Sequence, residues 1–197
     1  MRRRILLCLL LLAPLCAPLG AAETTNPLVR LQTSLGAVTI ELLPEQAPRS
    51  VQNFLGYVEQ GFYEGLVFHR VIEDFMVQTG GFDAELTYRD PTLGRVRNES
   101  VGGPLNLRGT VAMARQRNPD SADSQFFINV GDNPHLNADG QRPGYTVFGR
   151  VVEGMDVVDR ISLVRTGRRE GMYDVPLESV VIEAVTRLDD SEKNTGS

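Results

Sequence analysis

The chain of 197 residues has no tryptophan, two histidines, two cysteines and a single lysine, Lys193. Each shortage removes a class of chemistry. His69 and His135 are too few for a histidine-based metal centre, so no metal is expected. Both cysteines, Cys8 and Cys16, lie at the extreme N-terminus. The rest of the chain therefore has no disulfide, thiolate metal site or thiol nucleophile. Ser124 lacks a GxSxG elbow, and no Asp/Glu–His pairing is visible to activate it. The glycine stretches have neither the spacing nor the lysine of a phosphate-binding loop. Glu73-Asp74 reads as a solvated bend rather than an acid/base pair. An enzyme built from these residues uses neither a nucleophile nor a cofactor.

The first 22 residues read as a secretory signal peptide. Arg2, Arg3 and Arg4 form a positive start, Ile5 to Leu12 an apolar stretch, and Gly20-Ala21-Ala22 supplies small residues before a cleavage point at Glu23. The alternative, a retained membrane anchor, needs roughly 20 consecutive apolar residues, well beyond this run. A lipid anchor at Cys16 is disfavoured by the bulky Leu15, and the paired arginines lack the context of a twin-arginine signal. Three of the 20 basic residues leave with the signal, so 17 face 25 acidic ones, a net charge of 17 − 25 = −8. That balance argues against nucleic acid or an anionic membrane surface as partner, and the processed chain is expected to keep no membrane attachment.

A short leader over residues 23–27 precedes one domain over 28–188, and residues 189–197 form a charged tail with no apolar side chain, expected to be disordered. Strand-like runs occur at 28–33, 37–42, 67–72, 75–79, 110–114, 126–130, 146–151 and 180–188, with Ser34-Leu35-Gly36 as a tight turn. Pro48 opens PRSVQNFLGYVEQG, in which Val51, Phe54, Leu55 and Val58 make one apolar helical stripe that stops at Gly61. A second helix is expected over 155–163. Many short strands with two helices indicate a mainly β antiparallel barrel or sandwich.

The stretch FHRVIEDFMVQTGG, residues 68–81, contains an anomaly. Arg70 sits among Phe68, Val71, Ile72, Phe75, Met76 and Val77, and a permanent charge beside apolar walls costs free energy unless it is paired or binds something. Taken alone, Arg70 reads as a surface arginine in an ion pair, His69 as a core histidine with a satisfied ring, and the apolar residues as ordinary core. Asn98-Glu99-Ser100 matches a glycosylation acceptor, a tripeptide common by chance.

FHRVIEDFMVQTGGF, GTVAMAR, SQFFINVGDNPHLN and GYTVFGRVVEGMDVVDRI, in that order, together with APRSVQNF and VPLESVVIE, resemble the cyclophilins, in particular the bacterial exported type. The resemblance spans residues 28–188. It implies a closed eight-stranded antiparallel barrel capped by two α-helices, and peptidyl-prolyl cis–trans isomerase activity without a cofactor. Position by position, Arg70 matches the family's catalytic arginine, and Phe75, Met76 and Gln78 match positions of the proline pocket and its rim. Ala114 matches a substrate-backbone contact, Gln125 a polar rim residue, Phe127 the aromatic floor and Leu136 an apolar wall. Arg70, Phe75 and Gln78 are thus the expected catalytic set, and Met76, Ala114, Gln125, Phe127, His135, Leu136 and Tyr145 the substrate-binding set.

His135 stands where the best-studied eukaryotic members have tryptophan, and Tyr145 where they have a pocket histidine. The first change removes a large apolar face with a donor, so weak cyclosporin binding is expected. The implied partners are proline-containing segments of unfolded or partly folded secreted proteins, the implied compartment is the periplasm, and a monomer is the default. The C-terminus carries no KDEL-like retention signal. A rival function on the same fold is a chaperone-like module that binds proline segments with little turnover, for which an arginine over the ring has no purpose.

Overall fold

The computed structural model describes residues 26–188. The signal-peptide and tail expectations lie outside the described residues. Ten strands and two helices follow in the order β1 (Leu28–Thr33), β2 (Gly36–Leu42), α1 (Pro48–Glu59), β3 (Arg70–Ile72), β4 (Met76–Thr79), β5 (Thr110–Met113), β6 (Phe126–Asn129), β7 (Val147–Glu153), α2 (Met155–Ser162), β8 (Thr166–Arg169), β9 (Met172–Pro176) and β10 (Ile182–Leu188). Eight of them make one curled antiparallel sheet in the order β10-β1-β2-β7-β5-β6-β4-β3. Its two ends meet through the chain just before β3: Val67 bridges Val181, Phe68 N–H donates to Val180 O at 3.0 Å and Ile182 N–H to Leu66 O at 2.8 Å. This covers the polar edges that an open sheet would expose.

Alternation along the strands divides the apolar residues into two groups. Val71, Val77, Val111, Met113, Phe126, Ile128 and Phe148 point into the curl and join the main core. Their neighbours Met76, Ala112, Phe127 and Val147 point out and form a second, smaller cluster with Leu136. Helix α1 closes one mouth of the curl. Its Phe54 ring lies 5.4 Å from those of Tyr63 and Phe126 and 5.2 Å from that of Phe148. Ala47 at its N-cap has no capping side chain, and Glu99 substitutes from 50 residues away, accepting from Arg49 N–H at 3.1 Å and Ser50 N–H at 3.0 Å. Helix α2 buries Val157, Val158 and Ile161.

The strand expected over 67–72 is shortened to β3 because Leu66 and Val67 pair instead with Asp83 and Val181. The β8–β9 hairpin falls in a region without an expected strand. Its two-residue turn has φ of 44° at Glu170 and 81° at Gly171, the left-handed pair that suits the twist of a two-residue hairpin. Val175 anchors the hairpin by packing with Val67 and Leu86.

His69 is buried against the Phe82 ring at 4.7 Å. Its expected satisfied ring is corrected by the structure, because Nδ1 is buried without a hydrogen-bond partner. Burial lowers its pKa to about 4, since the charged ring would be desolvated. The unfolded chain binds this proton more readily, so stability is present above pH ~6.5 and lost as pH falls towards 4, by at most about 1.4 kcal/mol per unit. Denaturant unfolding of wild type and His69→Gln from pH 7 to 4 should give curves that converge with acid. A stability difference that stays constant with pH would remove His69 as the cause.

Candidate active site

The register of three strand pairs builds the site. Arg70 lies opposite Gln78, Gln78 opposite Phe127, and Phe127 opposite Ala112, so one row crosses β3, β4, β6 and β5 on the outer face of the sheet. Met76, on the next outward row of β4, adds to it. Around these residues opens a cavity of about 150 Å³ lined by Arg70, Phe75, Met76, Gln78, Ala114, Arg115, Phe127, Leu136 and Tyr145. Eight of those nine are residues singled out in the sequence. The remaining two of that set border the cavity: Gln125 lies in an adjoining cleft, and exposed His135 stacks on Phe75 with ring centroids 5.4 Å apart.

The walls are fixed from behind. Phe127 meets Tyr145 edge to face at 5.7 Å, and the Arg115 guanidinium lies 4.4 Å from the centre of the Tyr145 ring. Arg115 is itself held by Nε–H donating to Gly144 O at 3.1 Å and Nη2–H to Pro143 O at 3.3 Å. It is the pocket residue the sequence reading missed, although it directly follows Ala114 in the AMAR motif. Gly144 is required because a Cβ there would come within 2.3 Å of Leu136 O.

A buried asparagine network holds the backbone under three wall residues. Asn133 Nδ2 donates to Phe75 O at 2.9 Å and to Asn129 Oδ1 at 2.8 Å. Asn129 Nδ2 donates to Asn106 Oδ1 at 3.3 Å, and Asn106 Nδ2 to Leu136 O at 3.3 Å and Tyr145 O at 3.2 Å. Asn98 donates to Gly144 O at 3.0 Å while its Oδ1 accepts from Ser100, so the glycosylation-like tripeptide is spent on bracing this loop. Ser124 is fully buried with its hydroxyl donating to Gly80 O at 2.8 Å, which removes it as a nucleophile.

Arg70 is one of two arginines lining the pocket, and its side chain is 42% exposed, so the sequence impression of a charge enclosed by apolar walls is corrected. Among the described residues, Asp174 on β9 is its ionic partner, with Nε 3.9 Å from Oδ2. Gln78, opposite Arg70 in the β3–β4 pair, donates from Nε2 to Gln125 Oε1 at 3.0 Å. The described residues contain no group of three His, Cys, Asp or Glu placed to hold a metal ion, and no helix long and apolar enough to cross a membrane.

A small concavity with apolar walls, two arginines and one oriented amide in its lining suits binding of a small ring beside a polarisable peptide group. Comparison with known proteins gives that class its family. Residues 28–187 match the model of the cyclophilin type peptidyl-prolyl cis–trans isomerases. The chain is 51% identical over 163 residues to peptidyl-prolyl cis-trans isomerase cyp18 of Streptomyces antibioticus, covering 81% of this chain and 98% of that protein. It is 48% identical over 162 residues to peptidyl-prolyl cis-trans isomerase B of Escherichia coli K12, with the same coverage of 81% and 98%. Among solved structures, a cyclophilin type isomerase of Cryptosporidium parvum superposes with a TM-score of 0.69 at 23% identity over 84% of this chain and 99% of that one. Cyclophilin AquaCyp293 of Hirschia baltica gives 0.67 at 26%, over 83% and 74%. The chain belongs to the cyclophilin family, of bacterial type, and is a peptidyl-prolyl cis–trans isomerase acting on proline-containing polypeptides.

Proposed function

We propose that this isomerase accelerates X–Pro rotation by holding the proline ring in the 150 Å³ pocket while Arg70 stabilises the twisted amide, and that it does so for secreted proteins. The observation that carries the reading is the convergence of Arg70, Phe75, Met76, Phe127 and Leu136 on one small cavity. Uncatalysed rotation takes tens to hundreds of seconds because amide resonance imposes a barrier near ~20 kcal/mol. No bond is made or broken, so the catalyst has only to favour the twisted state over both planar ones.

In the twisted state the prolyl nitrogen regains a lone pair and becomes an acceptor. Arg70 donates to it and remains protonated throughout. Phe75, Met76, Phe127 and Leu136 grip the ring and displace water, which strengthens the cation's field. Gln78, oriented by Gln125, serves the substrate carbonyl. Ala114 N–H is already given to Gln125 O at 3.0 Å, so its carbonyl is the backbone group left for the segment preceding proline.

Export to the periplasm is supported by the signal-like pattern of residues 2–22 alone. The working unit is a monomer. Cyclosporin binds weakly, because the exposed His135 ring offers a smaller apolar face than an indole.

A protease-coupled assay on an Ala-Pro-Phe peptide tests the mechanism. Arg70→Ala should lose roughly a hundredfold in kcat/KM while still binding the peptide. Peptide binding without acceleration by the intact domain would make the protein a proline-binding chaperone module instead. Mass measurement of the exported product should place its first residue at Glu23, and an uncleaved membrane-bound product would refute the signal reading. A nanomolar cyclosporin complex in a calorimetric titration would refute weak binding.

A further inference from the structure

Asp174 is outside every motif that identifies the family reading, yet it is the carboxylate that meets Arg70. We propose that Asp174 is a positioning residue that aims the Arg70 guanidinium over the proline pocket; the inference rests on the role of Arg70 given above.

Three observations carry it. The contact is made to Nε, 3.9 Å from Oδ2, on the stem side of the guanidinium, which leaves both Nη groups for substrate. Gln78, the register partner of Arg70, makes no hydrogen bond to the guanidinium among the described residues, and its Nε2 donates to Gln125 Oε1 at 3.0 Å. Asp174 also takes a left-handed backbone, φ 60°, which aspartate tolerates, and the next residue, Val175, is buried against Val67 and Leu86. The hairpin is thereby anchored to the barrel wall, and its carboxylate approaches β3 from a fixed base.

An arginine with a half-exposed side chain has several rotamers open to it, and a neighbouring carboxylate selects among them. Selection of the rotamer poised over the pocket acts on the twisted state, in which the guanidinium donates, more than on planar peptide, in which it has no nitrogen acceptor. Asp174 therefore affects kcat more than KM.

The variants are Asp174→Asn, Asp174→Glu, Arg70→Ala and the double variant Arg70→Ala/Asp174→Asn. Asparagine tolerates the left-handed backbone, so Asp174→Asn removes the charge and leaves the turn. The expected result is a loss of about three- to tenfold in kcat/KM, carried by kcat, with an unchanged melting temperature and partial recovery in Asp174→Glu. The double variant should match Arg70→Ala, because a residue that acts through Arg70 has nothing left to position. Wild-type activity in Asp174→Asn, or an equal further loss in the Arg70→Ala background, would overturn the proposal. An inactive wild type would sink the arginine mechanism itself, whereas an active wild type with a crippled Arg70→Ala and an unaffected Asp174→Asn would sink only the role of Asp174.

Discussion

Strand register is the constraint on which the site depends. Arg70, Gln78 and Phe127 share the outer face only because β3, β4 and β6 pair in one alignment. Side chains alternate with a period of two, so a slip of one residue in β4 would send Gln78 into the core and bring Val77 out. That error is forbidden by the same residues that make the core: Val71, Val77 and Ile128 are almost fully buried, and each is a neighbour in sequence of a pocket residue. Burying one such side chain is worth about 1.5–3 kcal/mol, so the interior enforces the arrangement of the exterior.

Polar groups supply what packing cannot. Leu136 ends a short 3-10 turn and Tyr145 lies outside the strands. Leu136 O accepts from Tyr145 N–H at 2.9 Å, and the remaining acceptor capacity of these carbonyls is met by side chains. Asn106, Asn129 and Asn133 satisfy them in one connected network, all three nearly inaccessible to water. Leaving a single such group unpaired costs about 1–3 kcal/mol, which confines the loop to the conformation that satisfies all of them. The result is an apolar wall on a rigid polar footing, as preorganisation requires of a catalyst whose only task is differential binding.

Most strands and both helices were legible in the sequence because they rest on local pattern: alternation in LVRLQT and the helical stripe of PRSVQNFLGYV. The pocket positions were implied only by the family resemblance of blocks such as FHR and SQFF, since taken alone those residues read as ordinary core and a surface arginine. What was hidden depends on contacts distant in the chain. The β8–β9 hairpin turns on Glu170-Gly171 rather than the stronger Asn-Gly, and its strands TGRR and MYDVP alternate poorly. Asp174 reaches Arg70 only through that hairpin, and Glu99 caps α1 across 50 residues, so neither role leaves a mark in local spacing. Gln78 shows the converse: its place was legible, but its partner was fixed by Gln125 across the β4–β6 pair.

The exposure of Arg70 decides how its energy is spent. A half-exposed pair at 3.9 Å is screened by water and contributes about 0–1 kcal/mol to stability, so the contact with Asp174 does little for the free protein. A proline segment bound as proposed would change that balance by covering the apolar walls and removing water from the guanidinium. Between charges at this separation the interaction rises several-fold as the effective dielectric drops from that of water towards about 20. In the proposed mechanism the cation is therefore weakly engaged while the pocket is empty and would be strongly engaged once it is filled, where a twisted amide offers an acceptor that the planar forms lack. An arginine buried from the start would have carried its desolvation cost in the empty enzyme; one on the open surface would have gained no field on binding. The rim of a small pocket is the position between these two.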